Sequence, residues 1–125
     1  VLVFDTEADT LRYASAGHPA TFLWHDREGR PLRSTGPLLM LTSDGTYFSR
    51  EIPLARDDMA VMYTDGLAEA RNGDELFGEE RIGDMVRRNP GIAPGVLCKQ
   101  LLDAANDFSA GLVQDDLAIL AVRKA

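Results

Sequence analysis

The stretch Met59-Ala60-Val61-Met62-Tyr63-Thr64-Asp65-Gly66 decides how this chain reads. Met59 to Tyr63 is a short, continuous apolar run with acidic residues on both sides, Asp58 and Asp65. Such a run suits a central β-strand covered on both faces. A second continuous apolar run, Leu117 to Val122, follows Asp115 and Asp116 near the C-terminus. If the two runs are antiparallel neighbours, Asp65 and the Asp115-Asp116 pair fall at one end of the sheet. Adjacent strands lie about 4.8 Å apart. Ionised carboxylates that close repel each other, and a divalent cation between them removes the repulsion. Hard oxygen donors of this kind suit Mg²⁺ or Mn²⁺. The ordinary alternative is that each aspartate is a turn or cap residue, a common use of Asp at strand ends and before glycine.

Working outward, Val1 to Phe4 and Leu11 to Ala16 flank the polar segment Asp5 to Thr10, a hairpin signal. Gly17-His18-Pro19 punctuates the chain, and Thr21 to Trp24 reads as the next strand. Asp26 to Arg30 reads as a polar turn around Gly29, with Leu32 to Ser34 pairing back. Tyr47 to Ile52 alternates as a half-buried strand does.

On the other side, Glu79 to Asn89 reads as a helix, with Ile82, Met85 and Val86 on one face. Glu79 and Glu80 at its start and Arg87 and Arg88 at its end suit the helix dipole, and Asn89-Pro90-Gly91 stops it. A second helix starts near Pro94, a favoured first-turn residue. It carries a stripe of Leu97, Leu101, Leu102, Ala105 and Phe108 and ends at Gly111. Several strands, two helices and a final strand make an α+β pattern with antiparallel sheet rather than alternating βαβ units.

The 125 residues suit one domain or a large piece of one. The net charge of −7, from 20 acidic and 13 basic residues, argues against nucleic acid as the main partner, which needs clustered Lys and Arg. A single cysteine, Cys98, excludes an internal disulfide and fits a reducing cytosol. Its place on an amphipathic helix reads as a structural thiol. No apolar run reaches the ~18 residues of a membrane span. The chain opens on strand-like residues without a methionine, so the pattern predicts a fold that continues upstream.

Four segments carry a family resemblance. Tyr13-Ala14-Ser15-Ala16-Gly17-His18-Pro19 resembles the "NAGHP" strand-turn of bacterial PPM (protein phosphatase 2C-like) serine/threonine phosphatases related to stage II sporulation protein E. Met62-Tyr63-Thr64-Asp65-Gly66-Leu67-Ala68-Glu69-Ala70-Arg71 resembles their "LYTDGLTEAR", Phe77-Gly78-Glu79-Glu80-Arg81 their "FGEERL", and Gln114-Asp115-Asp116-Leu117-Ala118-Ile119-Leu120 their closing "QDDLTLL". The four occur in the family's order and span nearly the whole chain. The resemblance implies a pair of antiparallel sheets flanked by helices, with a dinuclear Mn²⁺/Mg²⁺ site at one end. Residues 1–125 would then be the C-terminal portion of a single domain.

By this resemblance Asp65 and Asp115 match metal-ligand, catalytic aspartates. Asp116 occupies the adjacent position, with local hydrogen bonding or support of the site as its role. Gly66 lets the backbone turn beside the metals. The remaining bridging carboxylate would come from an upstream Gly-Gly-Asp segment, which Asp5, Asp9 and Asp26 do not match. The implied reaction is hydrolysis of phosphoserine or phosphothreonine on a cytoplasmic bacterial regulator, such as an anti-sigma-factor antagonist, by metal-activated water. The competing function is a non-catalytic, phosphatase-like partner-binding module in sigma-factor signalling.

Three other residues invite attention. His18 is tempting as a general acid, although its place before Pro19 is also a plain turn position. His25 reads as a surface residue. Arg71 has the geometry for phosphate, with an ion pair to Glu69 or Glu75 as the more ordinary expectation. Without the upstream elements, sheet edges or apolar faces stay uncovered, which predicts self-association.

Overall fold

A computed structural model describes residues 1–16, 21–25, 28–33, 49–111 and 116–125. The N-terminal hairpin forms as its polar centre requires: β1 (Leu2–Asp5) pairs antiparallel with β2 (Thr10–Tyr13). The Asp5 carboxylate accepts the backbone N–H groups of Glu7 (3.1 Å) and Ala8 (2.9 Å), which closes the turn. Next come β3 (Thr21–His25), β4 (Glu28–Leu32), β5 (Arg50–Pro53) and β6 (Met59–Tyr63). The short helix α1 (Asp65–Ala68) leads into a small hairpin of β7 (Arg71–Asn72) and β8 (Glu75–Leu76). Then follow α2 (Gly78–Arg88), α3 (Pro94–Phe108) and the last strand, β9 (Ile119–Arg123).

The strands form two larger antiparallel sheets, ordered β1-β2-β5 and β4-β3-β6-β9. Alternation on β6 explains the layering. Met59, Val61 and Tyr63 pack toward α2 and α3 with Phe22, Leu67, Ile82, Val86, Leu97, Leu101 and Ala105. Ala60 turns the other way, into a second core with Leu11, Tyr13, Leu23, Leu32 and Leu54 between the two sheets. The run Met59 to Tyr63 is therefore a central strand covered on both faces, as its composition predicts. The other run behaves differently: β9 lies at a sheet edge among the described strands, and Leu120 is 57% exposed.

Both long helices appear where periodicity puts them. Val86 and Ile82 are fully buried on α2, with Met85 packed at the margin. On α3, Leu97, Leu101 and Ala105 are buried, whereas Leu102 is an exposed residue and not part of the stripe. The helix–sheet contact is close because Gly83 faces Phe22: a Cβ there would lie 2.7 Å from the ring.

Other differences from the sequence pattern have local causes. Gly29 belongs to β4, not to a turn, and Glu28 to Leu32 pair with Thr21 to His25. A Cβ at Gly29 would meet the Arg87 side chain at 2.8 Å, and Arg87 Nε donates to the Gly29 carbonyl at 3.0 Å. Glycine in this strand marks a close approach. His25 is half-buried, and its Nδ1 pairs with the buried Asp58 carboxylate, which also accepts the Ala55 N–H at 2.8 Å. It is therefore not a free surface residue.

Arginines tie the layers together. Arg123, on β9, donates to the Pro90 carbonyl at 3.0 Å and to the Ile92 carbonyl, satisfying the loop between α2 and α3. Arg81 donates to the carbonyls of Leu76 and Phe77, each at 2.9 Å, and to Glu75 at 3.0 Å, with its guanidinium 4.5 Å from the Phe108 ring centre. Cys98 is a half-buried residue of α3, its Sγ 4.0 Å from the Ile119 carbonyl.

Candidate active site

The register of β6 and β9 builds the candidate site. Tyr63 lies opposite Ile119, and Met59 opposite Arg123, so the end of β6 meets the start of β9. One residue beyond Tyr63, Thr64 fastens the two segments. Its N–H donates to the Ala118 carbonyl (3.0 Å), its Oγ1 accepts the Ala118 N–H (2.9 Å), and its hydroxyl donates to the Asp116 carbonyl (3.1 Å). Asp65 follows immediately, as the first residue of α1. The segment entering β9 and the segment leaving β6 are thus adjacent at one end of the sheet.

Each expected site residue has a definite standing. The Asp65 side chain is exposed and, among the described residues, makes no hydrogen bond or ion pair. Gly66 is buried inside α1 and has no positive φ, so the turn beside Asp65 is an ordinary helical one. Asp116 is exposed, and its carbonyl is held by Thr64. Asp115 and His18 lie outside the described residues. Among the described residues, no three His, Cys, Asp or Glu side chains gather as a metal-binding group. As a donor set, Asp65 offers an uncommitted hard oxygen suited to Mg²⁺ or Mn²⁺, and it is one part of a ligand set rather than a whole one.

Three neighbours escaped the sequence reading: Arg33, Glu79 and Thr64. Tyr63 is buried, and burial pushes its phenol up to about 12; Glu79 and Asp65 add to the rise, and Arg33 opposes it. Arg33, just after β4, also pairs with Glu79 of α2 at 3.4 Å. Tyr63 therefore feels the charges of Glu79, Arg33 and Asp65 together. Glu79 lay in a quoted motif, yet only the tertiary structure brings it to this end. Thr64 is the third: a hydroxyl directly before Asp65, with strand ends on both sides, was the available signal. Arg71 is exposed on β7 and forms no ion pair among the described residues, because Glu75 pairs with Arg81 instead.

A pocket of about 200 Å³ opens beside the fastening, lined by Met62, Tyr63, Thr64, Ala118, Ile119 and Leu120. Among the described residues no helix is long and apolar enough to cross a membrane.

Comparison with known proteins agrees with this geometry. The chain is 27% identical over 123 residues to Protein IcfG of Synechocystis sp., covering 96% of this chain and 19% of that protein. It is 20% identical to phosphoserine phosphatase RsbU of Bacillus subtilis, covering 97% of this chain and 37% of that one. Among solved structures, the SiaA-PP2C domain of Pseudomonas aeruginosa superposes with a TM-score of 0.82 at 22% identity, over 99% of this chain and 50% of that one. The Mn-presoaked phosphatase domain of SpoIIE from Bacillus subtilis gives 0.72 at 16% identity, over 99% and 55%. The chain thus has the α+β fold of PP2C phosphatase domains and spans about half of those solved domains. The profile of the family described as stage II sporulation protein E (SpoIIE) matches residues 1–125, and the chain belongs to that family.

Proposed function

We propose that this chain forms the C-terminal portion of one phosphatase domain that hydrolyses phosphoserine or phosphothreonine on a bacterial regulatory protein. Asp65 and Asp115 are the residues assigned to a divalent cation, Mn²⁺ or Mg²⁺, with Asp116 and Gly66 beside them. The observation that carries this reading is the fastening of Thr64 to Ala118 and Asp116, which holds the Asp65 turn against the segment that leads out of Asp115. An exposed Asp65 carboxylate without a partner among the described residues is what a cation ligand requires.

The chemistry a cation supplies when bound is acidification of water and neutralisation of phosphoryl charge. The chain's own part is positional: phosphoryl transfer depends mainly on placement and electrostatics. Antiparallel β6 and β9 fix the backbone that leads into Asp65 and the backbone that follows Asp116, and the buried Tyr63 at the end of β6 stays neutral. Kinship with RsbU, named a phosphoserine phosphatase, supports a phosphoserine substrate, and a regulator of sigma-factor signalling in the cytoplasm is the partner we assign.

The test is hydrolysis of a phosphoserine peptide by the full-length protein carrying this chain, with Mn²⁺ and with a chelator. Release of phosphate only with the metal is the expected result. No release under either condition, with no Mn²⁺ bound in calorimetry, would leave a partner-binding module instead.

A further inference from the structure

A cleft of about 460 Å³ opens between the edges of the two larger sheets, with Arg30, Arg33 and Arg50 in its lining. Two of these arginines occupy positions that the fold would give to apolar residues. Directly opposed residues of an antiparallel pair project on the same face. Arg50 on β5 lies opposite Tyr13, and Arg30 on β4 lies opposite Leu23. Tyr13 and Leu23 are both buried in the core between the sheets. Arg50 and Arg30 therefore emerge on the inner faces of the two sheets, on strands that are edges among the described ones, and reach solvent where the sheets part.

Charge makes the placement more unusual. The chain carries −7 overall. Yet among the described residues Arg30 and Arg50 have no ion pair or hydrogen bond through their side chains. Glu51, the acidic residue in the lining, is already engaged by Arg12 at 3.7 Å. The cleft is thus a local cationic surface on an acidic chain, with Tyr13 and Leu32 as its apolar wall. The end of β4 that lines it lies at the candidate site's end of the sheet. Leu32 pairs with Thr21, and Phe22 pairs with Val61, so the end of β4 lies level with the end of β6. Arg33 joins the two regions through Glu79.

We propose that this cleft is a substrate-specificity subsite, in which Arg30 and Arg50 bind carboxylates of an acidic segment flanking the phosphorylated residue of a protein substrate. Guanidinium forks suit carboxylates through paired hydrogen bonds, and the aromatic and aliphatic wall accepts the stems of such side chains. The subsite rests on the phosphatase reading above for its place in a reaction, although binding of an acidic peptide can be measured without turnover. The structural alternative is that inward charges on edge strands block edge-to-edge pairing.

The test uses the full-length protein with Mn²⁺ and three substrates: p-nitrophenyl phosphate, a phosphoserine peptide with Asp and Glu flanks, and the same peptide with neutral flanks. Wild type should show a lower KM for the acidic peptide. The double variant Arg30→Ala/Arg50→Ala should raise that KM about tenfold, with kcat and p-nitrophenyl phosphate turnover unchanged. The Arg30→Lys/Arg50→Lys variant should recover part of the preference, and roughly 0.5 M salt should erase it in wild type.

Equal KM values for the two peptides in wild type would overturn the proposal without involving any variant. So would a double variant that keeps the acidic preference and instead aggregates, the result expected of an edge-protection device. If wild type turns over none of the three substrates, the phosphatase reading has failed. The subsite is then judged by fluorescence anisotropy of the labelled acidic peptide: tighter binding than the neutral peptide, lost in the Ala/Ala variant, supports it, and equal binding overturns it.

Discussion

Thr64 and Ala118 exchange two hydrogen bonds, the Thr64 N–H to the Ala118 carbonyl at 3.0 Å and the Ala118 N–H to Thr64 Oγ1 at 2.9 Å. The hydroxyl proton is spent on the Asp116 carbonyl. Thr64→Val keeps the shape and removes the hydroxyl, so the Ala118 N–H and the Asp116 carbonyl lose their bonds to it. The site of these bonds is open to water, so the stability loss should be only about 1 kcal/mol. Activity should fall by a larger factor, about tenfold or more, because the turn carrying Asp65 keeps only the Thr64 N–H bond to Ala118 and loses both side-chain ties to the segment entering β9. Thermal unfolding and phosphatase kinetics on the same variant separate the two effects.

Gly83 and Gly95 are both helical, but only Gly83 is pressed against a neighbour. A Cβ at Gly83 would lie 2.7 Å from the Phe22 ring, whereas nothing lies within 4 Å of one at Gly95. Gly83→Ala should cost about 1–3 kcal/mol through overpacking. Gly95→Ala should be neutral or stabilise by about 0.5–1 kcal/mol. Urea unfolding of the two variants checks the contrast.

Tyr63 sets an alkaline limit on stability. Its phenol moves from the usual 10.0 up to about 12 in the folded chain. Below pH 10 the group is neutral both folded and unfolded, and its contribution is fully present. As pH rises from 10 toward 12 only the unfolded chain ionises, so stability is lost across that window. Tyr63→Phe should flatten the fall. Unfolding free energies measured across pH 9–12 for both proteins test this.

Leu120 on β9 is 57% exposed and Val3 on β1 is 49% exposed, both on strands at sheet edges among the described strands. Residues 1–125 expressed alone should therefore self-associate through these uncovered strands. Sedimentation velocity over a concentration series reads this directly. Leu120→Lys should shift the distribution toward monomer. A monomer at all concentrations would contradict the expectation.

How much of this was legible in the sequence differs by element. The strand Met59–Tyr63 and both long helices declare themselves by composition and period, because their side chains fill cores on defined faces. The β7–β8 hairpin went unread, since Arg71-Asn72 and Glu75-Leu76 are short, exposed and without alternation. The signal present was Gly73-Asp74, the two residues between the Asn72–Glu75 pair, with Gly73 at a φ of +64° in the first turn position. Gly29 read as a turn because the reason for its smallness, the Arg87 side chain, is 58 residues away in sequence. The His25–Asp58 pair is equally remote, 33 residues apart. At the site, the neighbourhood of Asp65 and Asp116 was legible from strand order alone. The contributions of Arg33, Glu79 and Thr64 depend on side-chain contacts between separate elements, which no local pattern reports.

The central claim, that Asp65 serves a metal-dependent phosphatase site, is tested most directly by one comparison. Mn²⁺ binding and phosphoserine-peptide hydrolysis are measured on the full-length protein and its Asp65→Asn variant, with thermal unfolding as a control. Loss of hydrolysis by at least about a hundredfold, with weakened Mn²⁺ binding and an unchanged melting temperature, is the predicted result. Equal hydrolysis and equal Mn²⁺ affinity in the two proteins would contradict the account.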